Sequence, residues 1–91
     1  MTDAEILTAV KTALFGSAAS TYQDDVIAFY IADVEAFMID AGVPADKVKT
    51  AASVGCIARG VSDLWNYGSG DVKFSEYFKQ RVIQLASGGG N

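Results

Sequence analysis

Histidine is missing from this chain, and with it the side chain most used near neutral pH as general base and metal ligand. Cysteine occurs once, as Cys56, which excludes an internal disulfide and a thiolate metal cage. Its neighbours Val54, Gly55, Ile57 and Ala58 are small or apolar, and Arg59 is the nearest charge in sequence. A buried, unreactive thiol is expected there. No apolar run approaches the roughly 20 residues that span a bilayer. The start Thr2-Asp3-Ala4-Glu5 is the opposite of a basic secretory signal, so a soluble protein made in the cytoplasm is expected. Carboxylate pairs such as Asp24 and Asp25 offer no hydrolytic site, because adjacent residues on a helix point about 100° apart. These absences point away from an enzyme, and no cofactor or metal is expected.

What is present is enough for one core. The 91 residues are 51% hydrophobic and 20% charged, a balance that folds as one domain rather than staying disordered. The pattern predicts an all-α bundle of about four helices over residues 1–86, with a flexible glycine-rich tail at 87–91. Thr2 and Glu5 have capping-box spacing. Ile6, Leu7, Val10, Ala13 and Leu14 then recur at helical spacing until Gly16. Thr21, followed by Asp24 and Asp25, reads as a second helix start. That helix, about residues 22–41, carries Val26, Ile27, Tyr30, Ile31, Val34, Phe37 and Met38 on one face. Gly42 stops it, and Pro44 opens a third helix over about 45–67. Gly55 and Gly60, inside that helix, each cost about 1 kcal/mol against alanine, which close packing would offset. Ser75 is an N-cap for the last helix, where Phe78, Val82 and Leu85 form a stripe.

Charge is unevenly spread. No lysine or arginine stands between Thr12 and Asp46; residues 1–46 carry eight acids and one base, and residues 47–91 carry six bases and three acids. Such a division suits a head-to-tail contact between copies, acidic part against basic part. Asp25, Asp33, Glu35 and Asp40 are candidates for a channel lining or an acidic interface, because an anionic wall repels phosphates. On base rates the same face is simply a solvated helix surface. Lys73, Lys79 and Arg81 are candidates for a basic subunit or portal interface, or serve as solubilising charges. Phe29 and Ile39 fall on the small-and-acidic side of the second helix. They are candidates for a surface covered only on assembly, with packing under a loop or terminal helix as the alternative.

The most specific stretch runs from Asp63-Leu64-Trp65-Asn66 through Gly68 to Ser75 and the closing Gln84-Leu85. It resembles the C-terminal half of the head–tail connector (head-completion) proteins of tailed bacteriophages. Where many relatives continue with arginine and glycine, Ala86 and Ser87 stand here, so no arginine contact is carried over. The resemblance implies a non-enzymatic structural subunit that forms a homo-oligomeric ring at the virion's head–tail junction, with a monomer allowed in isolation. The ring would dock on the portal protein and be continued by a tail adaptor or stopper. DNA would pass through without specific binding. The flexible tail would suit ordering against a partner. The alternative is a DNA-packaging accessory or small regulator that binds nucleic acid or packaging proteins transiently, for which Lys47, Lys49 and Arg59 barely make a basic face. Trp65 and Tyr67 are read as core and helix-end packing ahead of a ligand box.

Overall fold

The computed structural model describes residues 1–67 and 74–87. Gly68, Lys73 and the tail beyond residue 87 lie outside the described residues. Among the described residues five helices follow in order: α1 (Asp3–Phe15), α2 (Asp24–Asp40), α3 (Ala45–Val48), α4 (Ala51–Tyr67) and α5 (Glu76–Ala86). The fold is a small all-α bundle, four full helices and a single extra turn.

Local signals set most of the ends. At α1 the capping box closes both ways: the Thr2 N–H donates to Glu5 Oε1 at 2.8 Å, and the Glu5 N–H to Thr2 Oγ1 at 3.2 Å. Gly16 ends the helix at φ 73°, its N–H on the Thr12 carbonyl. At α5 the Ser75 hydroxyl accepts the Phe78 N–H at 3.2 Å.

Two expectations need correction. Thr21 does not cap α2; the N-cap is Gln23, with no side-chain cap bond. The loop turns instead through the Asp24 N–H on the Thr21 carbonyl, 3.2 Å. The helix predicted over 45–67 is two helices, broken at Lys49 and Thr50. The Thr50 and Ser53 hydroxyls both donate to the Lys47 carbonyl, at 2.7 and 2.8 Å. They satisfy an oxygen that the break would otherwise leave bare.

One core cluster draws on all five helices: Ile6 and Val10 from α1, Ile27, Ile31, Val34 and Met38 from α2, and Val48 from α3. Cys56, Ile57, Ala58, Val61 and Leu64 of α4, Phe78, Val82 and Leu85 of α5, and Val43 of the α2–α3 turn complete it. Each such side chain contributes about 1.5–3 kcal/mol relative to exposure. Phe74 and Phe78 stack with centroids 4.5 Å apart, and Phe37 lies 4.8 Å from Phe74. This ring cluster ties α2 to α5. Between them runs α4, and a Cβ at its Gly60 would stand 2.7 Å from Phe78 and 2.9 Å from Val34. Close packing therefore does account for Gly60. It does not account for Gly55, whose added Cβ would meet nothing within 4 Å.

Candidate assembly surfaces

The connector-like motif is first a joint. Asp63, 7% exposed, accepts the backbone N–H of Ser75 on Oδ2 at 2.9 Å. A carboxylate of α4 thereby holds the residue that caps α5, and charge makes that bond stronger than a neutral one. Arg59 Nε reaches the Ser75 hydroxyl at 3.5 Å. Leu64 enters the core at 7% exposure. Asn66 is exposed, its amide 3.5 Å from the Ser62 hydroxyl. Leu85 is buried, while Gln84 is exposed and accepts from Arg81 at 2.9 Å.

Trp65 is not core. It lies 36% exposed at the end of α4 and meets Phe15 edge-on at 5.9 Å and Tyr30 at 6.2 Å. Tyr30 in turn meets Phe29 at 6.5 Å. Phe15, Tyr22 and Phe29 are all more than half exposed, so the rings form a ledge across the ends of α1, α2 and α4. Beside it opens a groove of about 420 Å³ lined by Phe15, Tyr22, Ile27, Trp65 and the stem of Lys11. Lys11 is itself buried and held to Asp24 at 2.7 Å. Ledge and groove together leave a cluster of aromatic rings at the surface.

The outer face of α2 carries exposed Asp25, Asp33 and Asp40, which form no ion pair among the described residues. Exposed Ala28, Ala32 and Ala36 lie between them. Phe29 and Ile39 stand out from this face at 65% and 46% exposure, and no described segment covers them. Glu35 is different. It turns inward to Lys49 at 3.5 Å, and its other oxygen is buried without a donor among the described residues. Lys49 also grips Asp3 at 2.7 Å; this bond holds the Asp3 carboxyl below its ordinary range and the Lys49 ammonium above its own. The division of charge along the sequence is thus partly cancelled inside the subunit, since Lys49 crosses to the acidic half.

On the outer side of α4 the residues are small and then cationic: Ala52, Gly55 and Arg59 share one exposed stripe. Arg59 stacks over the ring of Tyr77 at 5.6 Å, and Tyr77 is 63% exposed. Arg81, one turn on from Tyr77, lies on the same side of α5. Neither arginine meets a carboxylate among the described residues. Lys79 lies about 200° round the helix from Tyr77 and pairs with Glu76 at 3.7 Å. Of the three basic candidates, Arg81 joins a patch, Lys79 stands apart from it, and Lys73 lies outside the described residues. Sequence reasoning missed the weight of Arg59 and Tyr77. Burial pushes the Cys56 thiol up to about 11, against a smaller opposing pull from Arg81, so little thiolate forms at neutral pH.

Among the described residues no helix is long and apolar enough to cross a membrane. Compared with protein-family models, curated proteins and solved structures, the chain finds no match in any of the three.

Proposed function

We propose that this chain is a non-enzymatic structural subunit of a head–tail connector ring, docking on a phage portal and joining head to tail at the virion's head–tail junction. The observation that carries the reading is the exposed aromatic ledge around Trp65, the large residue of the connector-like motif. Large aromatic side chains are well buried on average in folded chains, and a cluster of them left at the surface is the informative exception. Here Trp65, Phe15 and Phe29 present rings to solvent, as an anchor for a partner's pocket would. The joint between Asp63 and Ser75 supports the same reading, because it fixes the end of α4 and hence the ledge. A net charge of −4 keeps passing DNA from being held. Co-sedimentation with purified portal assemblies tests the proposal. Binding that Trp65→Ala with Phe15→Ala weakens by about tenfold or more supports it; no association at any salt concentration overturns it.

A further inference from the structure

We infer that the outer face of α2 docks on the α4–α5 face of a second copy of this chain. The inference deepens the assembly reading above and rests on it.

Both faces are helical and largely flat. Ala28, Ala32 and Ala36 of α2 are exposed, and so are Ala51, Ala52 and Gly55 of α4. Small residues let helix axes approach closely. Phe29 and Ile39 project from the first face, Phe29 the further at 65% exposure. The bed around Gly55 is open, since an added Cβ there meets nothing within 4 Å. Gly55 is also the one helix-interior glycine in α4 whose propensity cost no contact within the subunit repays.

Charge picks the occupant. Asp25, Asp33 and Asp40 have no cationic partner among the described residues, and Arg59 and Arg81 have no anionic one. The buried faces of α2 and α4 meet in the core, so their exposed faces look outward on opposite sides. One copy can therefore offer its acidic face to one neighbour and its arginine face to another. Two different patches of the same subunit meet, and the contact repeats. Tyr and Arg are among the residues enriched at such contacts. On this account the α2 carboxylates sit in the subunit contact rather than along the channel.

Sedimentation velocity, run over a concentration series up to the solubility limit, reads the contact directly. The wild type is expected to self-associate, less strongly as salt rises. Gly55→Leu is the sharpest variant: it fills the bed, so self-association falls by about tenfold or more, while the melting temperature of the monomer rises. A misfolded variant would do the reverse. Asp33→Lys and Arg59→Glu are each expected to weaken self-association, and an equimolar mixture of the two to regain it. Gly55→Leu assembling like the wild type would overturn the inference yet leave the portal-docking reading standing. A wild type that stays monomeric throughout would overturn it as well, and co-sedimentation with the portal would then decide the reading independently.

Discussion

Gly55 and Gly60 stand five residues apart on α4, in opposite surroundings. Gly60 is walled by Phe78 and Val34, with no room for even a methyl group. Gly55 faces open space. The inner side of α4 is where α2 and α5 close on the helix, and at Gly60 they leave no space for a larger side chain. Its outer side has spare room, an arginine stacked on an exposed tyrosine, and a glycine the subunit does not require. The difference teaches that core packing constrains one side of the helix and leaves the other free; under the proposed contact, stability and assembly can be changed separately.

The largest test of the inner side is Phe78→Ala. Phe78 is 0% exposed and is central to the ring cluster, so its truncation should cost about 3–5 kcal/mol in urea unfolding. Asp63→Ala should cost about 1–3 kcal/mol by stranding the Ser75 N–H; an unchanged midpoint would mean that the joint is dispensable. Gly60→Ala sets overpacking of about 1–3 kcal/mol against about 1 kcal/mol of helix propensity, a net loss. In a Phe78→Ala background that loss should shrink, which a double-mutant cycle would show. Gly55→Ala should move the other way, gaining about 0.5–1 kcal/mol. If both glycine variants shifted stability in one direction, the contrast between the two sides would fail.

The smallest expected effect is on pH. The Glu5 carboxyl is held below its ordinary range first by the Thr2 backbone N–H and then by the Thr2 hydroxyl, and that of Asp3 by Lys49. Groups depressed on folding contribute stability above their unfolded pKa and lose it as pH falls through the folded value. Thermal melts should therefore drop modestly as acid is added below the usual carboxylate range. Glu5→Gln, which cannot ionise, should remove the part of that drop due to Glu5.

Much of the fold was legible because its signals are local. Capping at Thr2 and Ser75, the glycine stop at 16 and the apolar stripes of α2 and α5 depend on neighbours within a few positions. The break between α3 and α4 was not legible from periodicity, since nothing between Ala45 and Ala51 interrupts a helical pattern. At the break the Thr50 and Ser53 hydroxyls turn to the Lys47 carbonyl, and Lys49 reaches Asp3, 46 residues away. Lys11 entered the sequence reading only as a charge, although Leu7, Lys11 and Leu14 share one side of α1. Its burial depends on Asp24 arriving from another helix. The acidic face of α2 was legible as a face, and so was the exposure of Phe29 and Ile39 as one of two alternatives. The arginine face was not, because Arg59 and Tyr77 meet only once α5 folds back onto α4.

Trp65 is the sole indole in the chain, and it sits partly in water at the rim of the groove. Its emission must answer to whatever covers the ledge, moving toward shorter wavelength as solvent leaves the ring. The protein thus carries an intrinsic optical reporter at the place where a partner is expected, and no dye or label is required to follow docking there.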